Sequence, residues 1–344
     1  MNVERQDQKE YIISLKQTNF GSYREIAKQT NRVFEINFWD SERVRDVIRK
    51  YNRKQNNKKV NELIKSLDSN NVFYKIKTKR NKALVLADLH IPFQRSDALD
   101  VVRKHKDEIK AIICPGDVLD CFEISVFQSL KQMPIEQELI EAIKFFAEVR
   151  NIVGDEVDII LHMGNHDARW RKYIANMHQK KLYKFINPNV LEMIKSGFTL
   201  YEDDKEIKYQ GVNDLIIVNS WYININDEVI TCHPNNFSRV EITNAKNAVN
   251  YFINVEEQFK LIAVAHNHHQ GYVPNYLGKI AFETGCMCQE FDYSDGNTKS
   301  KPQDYGYLLV SFDESGKVDI NETKLYNLPS NSIKNDLSKI KINL

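Results

Sequence analysis

Short apolar runs that end in Asp, Asn or His recur along this chain, and they restrict its fold more than any other feature. The clearest is residues 157–161, a predicted buried strand that leads into Gly164-Asn165-His166-Asp167. Predicted helices separate several such strands, which indicates an α/β domain with parallel strands and helices on both faces. The other predicted strands of this kind are 83–87, 111–114, 228–232 and 261–265, and residues 279–282, 306–312 and 317–325 are predicted to form a second, antiparallel sheet.

The polar residues that follow these strands are of the types that bind divalent metal ions. Ligands bind at the carboxyl ends of the strands in open α/β sheets, so these side chains are expected to converge on one edge. Carboxylate, amide oxygen and imidazole suit Mn²⁺, Fe or Zn²⁺, and the lack of Cys among them argues against a structural zinc site. Only two of the candidate ligands are carboxylates. Two divalent ions bound by these ligands would therefore keep a net positive charge, which favours binding of a negatively charged phosphate ester. The candidates are Asp88, His90, Asp117, Asn165, His233, His266 and His268.

Five blocks of residues stand in a characteristic order along the chain. They are Asp88-x-His90, Gly116-Asp117-x-x-Asp120, Gly164-Asn165-His166-Asp167, a lone His233 and His266-x-His268. In this order and approximate spacing the chain resembles the calcineurin-like metallophosphoesterases over roughly residues 82–290. The resemblance implies a four-layer α/β-β/α sandwich with a two-metal centre. One departure is Ala265, which stands where the family usually has Gly.

The resemblance also implies a role for each residue that matches the family motifs. One ion would be held by Asp88, His90 and His268 and the other by Asn165, His233 and His266, with Asp117 bridging both. His166 would be the general acid, oriented by Asp167. Two such ions activate a bridging hydroxide for attack on phosphorus while an acid protonates the departing oxygen. Mn²⁺ is the expected metal, although Fe and Zn²⁺ fit the same ligands, and His268 is favoured over the adjacent His269 by its spacing.

The N-terminal 80 residues predict a separate helical and basic module. They hold 19 basic against 10 acidic side chains, whereas the remainder holds 29 against 37. Ser22 and Glu25 fit a capping box, and a second helix is predicted from Asp40 or Ser41, so the segment resembles a helix-turn-helix with a long connection. The predicted division is therefore 1–80 for the module, 81–327 for the metallophosphoesterase domain and 328–344 for a polar tail. Candidate nucleic-acid contacts are Arg43, Arg45, Arg49, Lys50 and Arg53; the alternative is a helical extension with a solvated basic face.

The substrate is less closely defined by the sequence. Asp120 is followed by Cys121 where the superfamily's protein Ser/Thr phosphatases carry Arg, which argues against that activity. Arg169 and Arg171 could clamp a phosphate and Trp170 could stack on a base, or all three could belong to an exposed helix with a buried Trp. The preferred hypothesis is a DNA or RNA nuclease, similar to stand-alone phosphoesterases of phages and mobile elements and, in motif order, to DNA-repair nucleases.

Two other functional hypotheses remain at this stage. One is a small-molecule phosphoesterase acting on nucleotides, and the other is a DNA-binding regulatory protein whose phosphoesterase fold is secondary. The N-terminus lacks a signal-peptide pattern, no run approaches about 18 apolar residues, and the five cysteines are scattered, so a cytoplasmic protein without a membrane partner is expected. The sequence leaves the oligomeric state open.

Overall fold

The computed structural model describes residues 2–52, 73–74, 82–125, 133–176, 186–236, 238, 240–290 and 302–330. The chain divides into two compact units, Met1–Ser66 and Leu67–Leu344. The predicted boundary at residue 80 lies outside the described residues and stays a prediction. A two-residue strand, Phe73–Tyr74, pairs in parallel with Tyr222–Ile225 of the larger unit. The predicted polar tail lies outside the described residues from position 331 onward.

The described part of the first unit, residues 2–52, contains three helices: α1 (Asn2–Gln17), α2 (Tyr23–Val33) and α3 (41–52). The predicted capping box is present, since the Ser22 side chain accepts from Glu25 N and the Glu25 carboxylate accepts from Ser22 N. Asp40 caps α3 by accepting from the backbone of Glu42 and Arg43. A small core holds the helices together, formed by Ile12, Ile26, Ala27, Trp39, Val44 and Ile48.

The second unit contains the remaining described elements. Its helices are α4 (Ala98–His105), α5 (Ile135–Val153), α6 (Asp167–Asn176), α7 (Val190–Ser196) and α8 (Thr243–Asn254). Its strands are β1 (Phe73–Tyr74), β2 (Lys82–Val85), β3 (Ile109–Pro115), β4 (Asp158–His162), β5 (Phe198–Glu202), β6 (Lys205–Tyr209), β7 (Ile216–Val218), β8 (Tyr222–Ile225), β9 (Val229–Cys232), β10 (Leu261–Val264), β11 (Gln270–Tyr276), β12 (Lys279–Thr284), β13 (Tyr305–Phe312) and β14 (Val318–Leu328).

Two six-stranded sheets form the centre of this unit, in the orders β14-β13-β2-β3-β4-β7 and β1-β8-β9-β10-β12-β11. A core of apolar side chains lies between them, including Val85, Ile113, Ile225, Ala263 and Leu308. Helices α4, α5 and α7 pack against the first sheet, and α8 packs against the second. The predicted four-layer α/β-β/α sandwich is thus confirmed. Among the described residues, no helix has the length and apolar character needed to cross a membrane.

The C-terminal strands depart from the predicted arrangement. Residues 279–282 were expected to share an antiparallel sheet with 306–312 and 317–325, but β12 pairs in parallel with β10. Strand β13 pairs in antiparallel fashion with β2 and β14 and belongs to the other sheet. Every residue of β13 is buried, which suits a strand between two neighbours and between two layers.

The parallel strands determine where the candidate ligands lie. Strands β2, β3 and β4 run parallel to one another in the first sheet, and β9 and β10 run parallel in the second. Their carboxyl ends carry all of the predicted metal-binding and catalytic residues. A site formed at these ends has ligands from both sheets.

Candidate metal centre

Asp117 lies at the centre of the cluster of predicted ligands. Its Oδ2 lies 3.1 Å from His233 Nε2 and 3.8 Å from His90 Nε2, and its Oδ1 accepts from His166 N at 2.8 Å. Ligand atoms of Asp117, His233 and His266 lie within 4.8 Å of one another, and those of Asp88, His90 and Asp117 do so as well. Two potential metal-binding groups therefore share one carboxylate.

Asp88 joins the two sheets at the same point. Its Oδ1 lies 3.1 Å from His233 Nε2 and 3.7 Å from His268 Nε2, and the carboxylate accepts from His266 N at 3.0 Å. His268 Nε2 also lies 3.2 Å from His90 Nε2. His269 faces Asp304 instead, with 3.8 Å between Nδ1 and Oδ2. Of the two adjacent histidines, the structure thus places His268 in the cluster.

The electrostatics of the cluster favour a bound cation. Burial raises the pKa of the Asp117 carboxyl, but His233 and His166 outweigh burial and hold that pKa well below its usual range. Burial alone would lower the pKa of His233, whereas Asp117 and Asp88 raise it to about 10. Burial and His233 together lower the pKa of His266 to about 4. Two buried, ionised carboxylates thus attract positive charge, and a divalent cation there would compete with the His233 proton.

The surroundings of the polar atoms at the candidate ligand positions indicate whether these residues fit a metal ion. In the described part of the chain, Asn165 Oδ1 is buried and has no hydrogen-bond partner, and His233 Nε2 faces both buried carboxylates. An amide oxygen and an imidazole nitrogen can each donate a lone pair to a cation, and leaving such an atom buried and unpaired is costly. Together with the two carboxylates, they form a donor set suited to Mn²⁺, Fe or Zn²⁺.

The backbone around the ligands adopts a conformation that non-glycine residues rarely use. Five predicted ligands have positive φ: Asp88 (51°), His90 (46°), Asp117 (45°), His266 (89°) and His268 (53°). Such residues cost of order 1–3 kcal/mol each and concentrate at functional sites. At Gly116, φ is +80° and a Cβ would lie 2.5 Å from His233 Cγ. The loops are therefore shaped to direct side chains into the cluster at the expense of stability.

His166 lies beside the cluster and is held by residues other than the one predicted. Its Nδ1 lies 2.9 Å from Asp120 O and 3.0 Å from Asp120 Oδ1, and its Nε2 lies 2.9 Å from Arg169 Nη2. The Asp167 carboxylate instead accepts from the backbone of Gly164 and Leu119. The prediction that Asp167 orients His166 is therefore wrong, because Asp167 stabilises the two loops on which the site is built.

The predicted substrate-binding residues on α6 lie in three different environments. Arg169 is half-buried next to His166 and donates to Asp120 O at 2.9 Å. Trp170 donates to Asn187 O at 2.8 Å and packs partly against the core. Arg171 is only 4% exposed. Arg171 therefore offers a substrate little surface, whereas Arg169 contacts His166, and substrate binding by these three residues stays a prediction.

Three residues near the site were not given these roles by the sequence analysis. Asp120 Oδ1 contacts both His166 and His90, the latter at 2.9 Å from Nδ1. The buried Glu138 carboxylate accepts from Cys121 N and Phe122 N and so holds the loop after Asp120. Gln303 Nε2 lies 2.5 Å from His268 Nδ1. Asp120 belongs to a recognised block, whereas nothing in the sequence around Gln303 indicates its position.

Gln303→Leu is expected to weaken metal binding by about 10- to 100-fold, the usual effect of removing the partner of a metal-ligating histidine. If His268 Nε2 binds a cation, Nδ1 carries the proton, and Gln303 supports this state by turning its amide so that Oε1 accepts. The measurement is the dissociation constant for Mn²⁺ in competition with a chelating dye. Gln289→Leu is the matched control, since Gln289 is exposed and bonds Gln94 O. Equal affinities for both variants would contradict the prediction.

Buried carboxylates and imidazoles at the adjoining strand ends of two facing sheets define the active-site architecture of a metal-dependent hydrolase. Residues 82–276, more than half of the chain, match the model of the family described as calcineurin-like phosphoesterase. The chain belongs to this family and is, by that membership, a metal-dependent phosphoester hydrolase.

Several solved structures are similar to this chain at low sequence identity. A protein serine/threonine phosphatase from Saccharomyces cerevisiae is 12% identical, with 80% of this chain and 90% of that chain covered and a TM-score of 0.39. A putative 5'-nucleotidase from Staphylococcus aureus is 11% identical, with 75% and 56% covered and a TM-score of 0.34. A Thermotoga maritima protein is 12% identical, with 72% and 99% covered and a TM-score of 0.30. A comparison with curated proteins finds no match.

Proposed function

We propose that this protein hydrolyses phosphodiester bonds in nucleic acid and that it does so with two divalent metal ions, preferentially Mn²⁺. The observation that carries the proposal is the position of Asp117 in two groups of potential ligands. One ion would be held by Asp88, His90 and His268, and the other by Asn165, His233 and His266, with Asp117 common to both. The mixture of carboxylate, amide and imidazole donors is the reason for preferring Mn²⁺, and Fe or Zn²⁺ are the alternatives.

The chain's own residues supply the proton and the orientation for this reaction. Bound divalent ions would act as Lewis acids on the phosphoryl oxygens and would make a nucleophile available from water. His166 Nδ1 faces two acceptors on Asp120, so this nitrogen carries a proton and the ring is fixed. His166 Nε2 accepts from the Arg169 guanidinium in this structure, so it can give a proton to the departing oxygen only once the ring carries a second proton and Arg169 turns to the phosphate.

Arg169 supports the choice of a phosphate ester as the substrate. Its Nη2 lies 2.9 Å from His166 Nε2, while its Nη1 is anchored to Asp120 O. An anionic oxygen placed near these two groups would accept hydrogen bonds from both. A guanidinium next to the general acid can therefore orient a phosphodiester against the acid. The helical first unit, which presents exposed Arg45 and Arg49, supports a polymeric substrate.

The test is hydrolysis of labelled single- and double-stranded DNA beside bis-p-nitrophenyl phosphate, with Mn²⁺, at about 50 and about 200 mM salt. We expect DNA cleavage that depends on His166 and weakens with salt, because phosphate contacts release counterions. Lys172→Ala is the control for His166→Ala, since Lys172 is exposed on the same helix. Cleavage of the small diester alone would overturn the nucleic-acid proposal and would favour a nucleotide-sized substrate.

A further inference from the structure

A groove of about 740 Å³ lies between α1 and α3 in the first unit. Four basic side chains line it: Arg5 and Lys9 from α1, and Arg43 and Lys50 from α3. Ile13, Phe38, Trp39, Val47 and Tyr51 provide the apolar part of the lining. The groove thus combines positive charge with an apolar and aromatic floor.

The acidic residues of the groove are engaged by neighbours. Glu10 accepts from Gln6 at 2.9 Å, and Asp46 pairs with Arg49, with 2.9 Å between Oδ1 and Nη2. Four basic side chains therefore face two carboxylates that already have partners. The excess positive charge suits an anion that contacts several cations at once.

Phe38 brings two of the cations together. The guanidinium carbons of Arg5 and Arg43 lie 4.5 and 4.4 Å from the centre of its ring. Arg43 also donates to the Phe38 carbonyl and lies 3.6 Å from Asp40. Cation–π contact fixes the planes of both guanidiniums but leaves their N–H groups capable of donating to phosphate oxygens.

We propose that this groove binds the sugar-phosphate backbone of a single-stranded nucleic acid. The proposal rests on the proposed function and assigns the polymer contact to the α1–α3 groove rather than to the outward face of α3. A single strand has a flexible backbone that can follow a concave groove, and its unpaired bases can contact the aromatic part of the lining. Positive side chains that track phosphates beside aromatic side chains are the usual means of binding single strands without sequence preference.

The test measures binding of a fluorescein-labelled oligo-dT by anisotropy over a range of NaCl concentrations, using the full chain in a His166→Ala background. Lys9→Gln/Lys50→Gln removes two groove charges and leaves the Phe38 contacts in place. Each phosphate contact contributes about 0.7 to the slope of log K against log salt for single strands, so the slope should fall by about 1.4. Arg5→Gln/Arg43→Gln should give the same loss. Arg24→Gln/Lys28→Gln, on the exposed face of α2, is the matched control and should leave the slope unchanged.

Distinct outcomes separate this proposal from the proposed function. The groove proposal is overturned if the salt slope falls equally in the α2 control or falls further in Arg45→Gln/Arg49→Gln. It is also overturned if the protein binds a duplex more tightly than oligo-dT. If both groove variants bind oligo-dT with an unchanged salt slope, while the protein that retains His166 cleaves DNA, the groove proposal is overturned and the proposed function stands. Groove-dependent binding by a protein that cleaves only a small diester would overturn the proposed function and leave the groove in place.

Discussion

Asp117→Asn is expected to lower phosphoesterase activity by at least about 10³-fold and to reduce the bound metal. Stabilisation by a metal ion contributes several kcal/mol, and about 4 kcal/mol corresponds to this factor because each 1.4 kcal/mol is tenfold. The Asp117 carboxylate is common to both groups of potential ligands. Asn has the same shape, and its amide oxygen can still accept from His166 N. The substitution therefore removes charge and one ligand without creating a cavity.

The measurement combines metal content by mass spectrometry with turnover of bis-p-nitrophenyl phosphate. Asp100→Asn is the control, because Asp100 lies on the surface of α4 and pairs with Arg103. Circular dichroism should show that both variants are folded. An Asp117→Asn protein that retains its metal and stays within tenfold of the wild-type rate would show that Asp117 is not a shared ligand.

The strand ends could be predicted because side-chain type and order are written directly in the sequence. Each apolar run buried between two layers ends where the chain leaves the sheet, and polar residues concentrate there. The backbone conformation of the ligand loops was harder to predict from the sequence. The positive φ values at Asp88, Asp117 and His268 are imposed by the surrounding loops, and Asp and His do not by themselves specify that conformation.

Contacts between segments that are distant in sequence account for most of what the sequence analysis missed. Asp167 is adjacent to His166, yet Asp120, 46 residues away, holds the ring. Gln303 is 35 residues from His268 and lies in a loop without periodicity. Neighbours in sequence are a poor guide to partners when the partners lie on different loops.

His166→Ala is expected to lower kcat by about 10²- to 10⁴-fold with a nucleotide leaving group, the usual contribution of a positioned general acid. The loss should be much smaller with a p-nitrophenolate leaving group, because a weakly basic oxygen departs without a proton. Metal content should be unchanged, since His166 is bonded to Asp120 and Arg169 and is not one of the proposed ligands. The comparison requires kcat for thymidine 5'-p-nitrophenyl phosphate and for a dinucleotide, with Lys172→Ala as the control.

Asp120→Asn separates the orientation of His166 from its proton transfer. Asn at this position keeps an amide oxygen that can accept from both His90 and His166, as Asp120 Oδ1 does, but it lacks the negative charge that strengthens both hydrogen bonds. The Asp120→Asn substitution should therefore weaken metal binding and also lower the rate with the basic leaving group.

If His166→Ala slows the reaction equally with both leaving groups, His166 stabilises the phosphoryl group rather than protonating the departing oxygen. In that case the acid must be sought elsewhere, and Arg169 would become the group that holds the phosphate in place.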